Sequence, residues 1–254
     1  LSMGEWRFGV EGRFEHDDVF SPSMLNLSKI QAITLDLDDT LWPVWPTIAR
    51  AELVLQEWLA VHAPQTAQLC ADAEVKKRIR IEVSQRHAEK AHDLSFLRRE
   101  SIRESLLRAG NAPHLAEAAF DVFFAERQNV TLYDGVQEAL ARLSERYPLV
   151  ALSNGNADVF LTEAGPYFKA SVSARLFGVA KPDARIFHAA AAQLNLPAEA
   201  VLHLGDDATT DVLGAMNAGM QTAWVNTQGH DWPHKASQPL TVRHLAELCD
   251  HVLT

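Results

Sequence analysis

Ile33-Thr34-Leu35-Asp36-Leu37-Asp38-Asp39-Thr40-Leu41 is the stretch on which the reading of this chain turns. It begins as the short apolar run of a buried strand and turns acidic at Asp36, Asp38 and Asp39. Side chains alternate along a strand, so Asp36 and Asp38 face the same way. Carboxylates gathered at the end of a buried strand raise each other's pKa, and a divalent cation is the usual compensation. In open α/β sheets ligands also bind at the carboxyl ends of the strands. The expectation is a metal-assisted site on a parallel sheet. A strand that closes in a solvated acidic turn fits these nine residues equally well, so the rest of the chain has to choose.

Further along, the same grammar recurs. Leu149-Val150-Ala151-Leu152 is a short buried strand that ends in Ser153-Asn154-Gly155-Asn156. Val201-Leu202-His203-Leu204 is another and ends in Gly205-Asp206-Asp207, and Gln221 to Val225 reads as a fourth. Between them lie helical patterns: one after Gly135, a short one from Asp158 to Ala164, and one opened by Lys181-Pro182 with the proline at the first helical position. Another runs from Thr209 to Ala218 and is closed by Gly219, and a tail helix lies near Leu240 to Val252. Strands alternating with helices predict an α/β fold with a doubly wound parallel sheet.

The segment 47–130 carries no strand signal. Its helical spacings predict helices over Thr47–Ala60, Gln65–Ala91, Ser95–Ala109 and Pro113–Arg127, a helical subdomain inserted into a core made of 29–46 and 131–254. Pro43 and Pro46 argue against a continuous helix just before it, where Trp42 and Trp45 wall the loop. Lys76, Lys77, Arg78, Arg80, Arg86, Arg98, Arg99, Arg103 and Arg108 read as a solvated face interleaved with acids, with one or two free to turn toward an anionic substrate. Residues 1–28 read as an irregular lead-in whose Trp6, Phe8, Phe14 and Phe20 could pack on the body.

Composition narrows the function. With 254 residues, 47% hydrophobic and 22% charged, the chain suits one α/β core with an insertion. A net charge of −10 argues against a nucleic-acid partner and requires a local cation for any anionic substrate. Cys70 and Cys249 match no metal spacing and are expected to be free thiols of a reducing compartment. No stretch has the length of a membrane span and no apolar signal segment opens the sequence, so a cytoplasmic location is expected. His230, His234, His244 and His251 fit loops and surface better than a metal site, and Gly214 and Gly219 fit packing and capping better than a phosphate loop.

Parallel strands share one carboxyl edge, so Asp36 and Asp38, Ser153, and Asp206 and Asp207 can converge, with Lys181 within reach from the start of its helix. Mg²⁺ prefers oxygen donors and keeps several waters, which suits carboxylates plus a phosphate oxygen. Lys181 and Ser153 would supply the charge and the donor that a transferring phosphoryl group needs.

Taken in this order, the motifs resemble those of the haloacid dehalogenase superfamily, in the branch with a helical cap after the first motif. Asp36-Leu37-Asp38-Asp39-Thr40 matches the first motif, Ser153 the second, Lys181 the third, and Gly205-Asp206-Asp207 with Asp211 the fourth. The resemblance implies Asp36 as nucleophile and Asp38 as the acid that protonates the leaving alcohol and then activates water. It implies Thr40, Ser153, Asn154 and Lys181 as substrate contacts. Mg²⁺ would be held by Asp36, the backbone carbonyl of Asp38, and Asp206, with Asp207 and Asp211 behind them. Members that cleave carbon–halogen bonds lack the acid that Asp38 supplies, so its presence implies phosphate-ester hydrolysis. Leu152–Ala157 and Leu204–Val212 are further similar to bacterial phosphatases that act on flavin mononucleotide (FMN) and other riboflavin-pathway phosphates, including 5-amino-6-(5-phospho-D-ribitylamino)uracil, which implies a small phosphorylated metabolite of that kind. A phosphomutase and a non-catalytic phosphometabolite-binding protein remain the alternatives. A monomer or homodimer is expected.

Overall fold

The apolar runs of the sequence assemble into one six-stranded parallel sheet whose strands lie side by side in the order Phe168–Ser173, Leu149–Ser153, Ala32–Leu35, Val201–Gly205, Gln221–Val225 and Leu240–Val242. A computed structural model describes residues 25–253, so nearly all of the lead-in 1–28, including Trp6, Phe8, Phe14 and Phe20, lies outside the described residues. After β1 (Ala32–Leu35) come five helices: α1 (Val44–His62), α2 (Pro64–Cys70), α3 (Ala73–Arg86), α4 (Leu94–Arg108) and α5 (Leu115–Arg127). Then follow α6 (Val136–Arg146), β2 (Leu149–Ser153), β3 (Phe168–Ser173), α7 (Ala174–Phe177), α8 (Ala184–Ala192) and β4 (Val201–Gly205). A π-helical turn (Ala208–Leu213) leads into α9 (Gly214–Asn217), and β5 (Gln221–Val225), β6 (Leu240–Val242) and α10 (Leu245–Val252) complete the chain.

Every residue of β1, β2 and β4 is buried, as expected of central parallel strands covered on both faces. Ile33 and Leu35 face a layer built on Leu140, Leu143 and Leu248, whereas Ala32, Val150 and Leu152 face Ile186, Phe187 and Ala190. The helices α1, α2, α4 and α5 bury a separate core around Leu55, Leu59, Leu106, Phe120 and Phe123. Together with α3 they leave and rejoin the sheet at one place, where the Tyr133 amide donates to the Leu41 carbonyl at 2.9 Å. Among the described residues no helix is long and apolar enough to cross a membrane.

Several local expectations are corrected. The apolar run around Ile33 predicts a strand over roughly Ile30–Leu37, but β1 covers only Ala32–Leu35: Ile30 closes the preceding turn and Leu37 belongs to the loop that presents the acids. The long helix expected over Gln65–Ala91 breaks at Ala71-Asp72, where the Asp72 carboxylate accepts from the amides of Glu74 and Val75 and starts α3. Pro46 lies inside the first turn of α1, where an amide has no helical partner to lose. Pro182 is not the first residue of α8; Asp183 caps that helix through the Arg185 amide. The helix expected from Thr209 begins as a π turn. The edge strands β3 and β6 were not foreseen.

Candidate active site

Asp36 and Asp206 each follow directly on the end of a strand. The Asp36 amide donates to the Leu204 carbonyl at 2.9 Å, so the chain remains tied to β4 as it leaves β1. Two residues beyond the end of β4 the chain turns into the π helix, whose wider turn carries Asp211 back under the sheet edge. Carboxylate oxygens of Asp36, Asp206 and Asp211 lie within 4.8 Å of one another, the one such cluster found among the described residues. Lys181 enters from the loop before α8. Its Nζ is 2.6 Å from Asp36 Oδ1 and 2.5 Å from Asp211 Oδ1, and it donates to the Leu152 carbonyl at 2.9 Å.

The electrostatics of this cluster are unbalanced, because one ammonium faces three carboxylates. Asp211 takes most of its benefit. Burial alone would raise the Asp211 pKa, but Lys181 and the His203 ring outweigh it and hold the carboxyl down at about 2. Burial also opposes the charge on Lys181, yet Asp211 and Asp36 together raise its pKa. Asp36 is left in surplus, with burial and then its acidic neighbours pushing it well above the usual carboxylate range against the pull of Lys181. Asp206 is pushed up to about 7, by burial first and by Asp211 second. An all-oxygen donor set with a two-unit deficit of positive charge fits a hard divalent cation.

Asp38 is arranged differently. Its carboxylate turns away from the cluster to the Arg127 guanidinium, whose Nη2 lies 2.6 Å from both oxygens, and to the indole of Trp42, which donates to Oδ1 at 2.8 Å. Arg127, in the last turn of α5, is buried, and its Nε and Nη1 have no hydrogen-bond partner. On the other side Asp38 lies directly over Gly155, where a Cβ would overlap Asp38 Oδ2. Ser153 sits between, and its Oγ accepts from the Gly155 amide at 2.9 Å, which leaves its hydroxyl proton free for a ligand.

Two expected substrate contacts have other duties here. Thr40 gives its hydroxyl proton to Asp206 Oδ1 at 3.1 Å and so orients that carboxylate. Asn154 clamps the backbone of Lys181, with its Oδ1 accepting from the Lys181 amide at 2.8 Å and its Nδ2 donating to the Lys181 carbonyl at 3.0 Å. Asp207, expected behind the metal site, caps the π turn by accepting from the amides of Thr209 and Thr210. Asp211 lies in the carboxylate cluster itself as well as against Lys181.

Sequence reasoning passed over two residues. One is His203, buried in β4, where Thr34 Oγ1 meets Nδ1 at 2.8 Å and Asp211 Oδ1 lies 3.6 Å from Nε2. A histidine in the middle of an otherwise apolar strand, two residues before Gly205, was the available signal. The other is Arg127, which at a helix end is indistinguishable in sequence from an ordinary C-terminal cation.

Gly205 belongs to the site for a steric reason. A Cβ there would overlap Cγ and Cβ of Asp211, which is 1% exposed and fixed by Lys181. Gly205→Ala is expected to destabilise the fold by about 1–3 kcal/mol, the usual range for overpacking, and to weaken divalent-cation binding with it. Denaturant titration together with Mg²⁺ titration checks both effects.

Comparison with known proteins agrees with this picture. A family model described as haloacid dehalogenase-like hydrolase matches residues 30–219. The 5-amino-6-(5-phospho-D-ribitylamino)uracil phosphatase YigB of Escherichia coli (strain K12) is 34% identical over 230 residues, covering 87% of this chain and 96% of that protein. A phosphoserine phosphatase of Thermus thermophilus is 32% identical over 157 residues, 59% of this chain and 63% of its own length. Among solved structures, one described as a 2-haloacid dehalogenase from Pseudomonas syringae pv. Tomato DC3000 superposes with a TM-score of 0.83 at 33% identity, covering 88% of this chain and 98% of that one.

Proposed function

Since the chain belongs to the haloacid dehalogenase-like hydrolase family and is a phosphatase of it, we propose that it hydrolyses a small phosphomonoester through an aspartyl-phosphate, with Mg²⁺ as cofactor. The observation that carries the reading is the convergence of Asp36, Lys181 and Ser153 beside a separately held Asp38.

In this reading the Asp36 carboxylate attacks phosphorus, forming a bond from Asp36 to the phosphoryl group as the ester oxygen departs. Lys181 and the free Ser153 hydroxyl hold the phosphoryl oxygens, and Asp38 gives a proton to the leaving alkoxide. Asp38 then takes a proton from water, whose oxygen bonds to phosphorus as the bond to the Asp36 carboxylate breaks, releasing inorganic phosphate and regenerating Asp36. Asp36 and Asp206, with the backbone carbonyl of Asp38, would hold Mg²⁺, and Asp211 keeps Lys181 in place behind them. The bound cation supplies neutralising charge for the cluster and for the phosphoryl oxygens. Thr40 and Asn154 act through Asp206 and Lys181, respectively.

The likeness to a 2-haloacid dehalogenase favours carbon–halogen cleavage as a second reading. It is disfavoured by Asp38, since a departing halide needs no proton whereas an alkoxide does. FMN and 5-amino-6-(5-phospho-D-ribitylamino)uracil are the proposed substrates, the first on the motif resemblance of Leu152–Ala157 and Leu204–Val212 and the second also on the YigB likeness over nearly the whole chain.

The test is phosphate release from FMN, sugar phosphates and nucleotides, with and without Mg²⁺. The expected result is turnover that EDTA abolishes and Mg²⁺ restores, with FMN among the better substrates. Halide release from 2-chloropropionate with no phosphate release from any ester would replace this reading by the second.

A further inference from the structure

The cationic residues of the helical insertion are not all solvated. Glu52 on α1 is approached by three cations at once, Lys76 at 3.1 Å, Arg80 and Arg98. One carboxylate cannot neutralise three cations, so this cluster keeps a surplus of positive charge in a chain that is otherwise acidic. Burial opposes ionised Glu52, yet Arg98, Arg80 and Lys76 outweigh it and lower its pKa, so the carboxylate is held ionised by its neighbours. Arg98 is largely buried, and Arg80 crowds it, which leaves its charge poorly compensated.

Arg80 and Arg98 also line a cavity of about 190 Å³. Ile48, Leu97 and Phe123 give it an apolar wall, and the Arg98 guanidinium lies over the Phe123 ring, 4.4 Å from its centroid. On the sheet side the cavity is closed by Asn156. Asn156 adjoins Gly155, whose amide donates to Ser153 and whose Cα lies beneath the Asp38 carboxylate. One lining residue of the cavity thus directly follows the glycine on which Asp38 and Ser153 pack, and two others carry guanidinium groups.

We propose that Arg80 and Arg98 form the leaving-group subsite and select phosphomonoesters whose alcohol bears an oxygen-acceptor edge, either a carboxylate or paired ring carbonyls. This rests on the phosphatase reading and names the substrate class of that site. A planar guanidinium presents its N–H groups as a fork that suits two oxygens side by side, which a plain alkyl or aryl alcohol does not offer. The apolar wall accepts the carbon skeleton between the two ends.

The test compares kcat/KM for phenyl phosphate and glycerol 3-phosphate, which lack such an edge, with O-phosphoserine, which has the carboxylate, and FMN, which has the ring carbonyls. The wild-type enzyme is expected to favour O-phosphoserine or FMN by at least about tenfold, the size of one charge-assisted hydrogen bond, and whichever is favoured identifies the source of the oxygens. Arg98→Gln and Arg80→Gln are each expected to erase that preference chiefly through KM. Two positions guard against one variant failing to fold, which a circular dichroism melt detects. A preference absent from the wild type, or retained in both folded variants, would overturn the proposal while leaving the phosphatase reading intact. Binding of serine and of riboflavin, the free alcohols, measured by calorimetry does not depend on turnover. If no ester is hydrolysed, the phosphatase reading falls, and failure of both alcohols to bind would then overturn the subsite as well.

Discussion

Asp36→Asn is expected to abolish phosphate release, by at least about 10³-fold, and at the same time to raise the thermal stability of the metal-free protein. The two effects have one cause. Asp36 is the surplus carboxylate of the cluster, buried beside Asp206 and Asp211 while Lys181 is already engaged by Asp211. An amide keeps the shape and removes the repulsion, but it cannot attack phosphorus. It also replaces an anionic donor of the proposed cation site by a neutral one, so the rise in melting temperature on adding Mg²⁺ should shrink. Melting curves with EDTA and with Mg²⁺, run beside the activity assay, check all three consequences. A metal-free variant distinctly less stable than the parent would mean that the Lys181–Asp36 pair is worth more than the repulsion it opposes.

Arg127→Met is expected to lower kcat by about 10²-fold, the lower range for loss of effective acid–base catalysis, while Arg127→Lys keeps part of the activity. Arg127 touches neither Asp36 nor the carboxylate cluster in the contacts described; it acts by holding Asp38 from the helical side, opposite Gly155. Without it, the Trp42 indole is the remaining donor that orients the Asp38 carboxylate. A leaving group that departs easily needs little protonation, so the loss should be larger on an alkyl phosphate than on an aryl phosphate. An equal loss on both would show that Arg127 supports the fold rather than the proton transfer, and a melting curve of each variant would then show by how much.

Much of this arrangement was legible in the sequence because the chemistry is carried by strand ends. Asp36, Ser153 and Asp206 each follow a short apolar run, and a parallel sheet leaves such residues few places to go. Lys181 was legible for the opposite reason, as a cation beside a proline between two regular elements. The edge strand β3, Phe168–Ser173, was passed over although Phe168, Ala170 and Val172 alternate with Lys169, Ser171 and Ser173; the run is short, and only two of its six residues are buried. The break before α3 was not legible, since an alanine-rich stretch there has no glycine or proline to announce it. Thr40 and Asn154 show why a site residue's duty is hard to read from sequence: a hydroxyl or an amide next to a binding site reads equally well as a ligand and as the brace that each is seen to form, on Asp206 and on Lys181. Arg127 lay beyond sequence reading because its partner, Asp38, is 89 residues away.

The meeting of Tyr133 with Leu41 has a consequence for how such a chain can change over generations. The whole excursion of α1–α5 starts and finishes within one hydrogen bond, so the sheet meets it as though it were a turn. The entropy of closing a loop grows only logarithmically with its length, by about 0.6 kcal/mol for each doubling. Lengthening, shortening or replacing the excursion therefore places little strain on the strands that carry Asp36 and Asp206. The reacting groups and the groups that surround the leaving alcohol stand under separate selection: the first can be inherited unchanged while the second are redrawn for another metabolite.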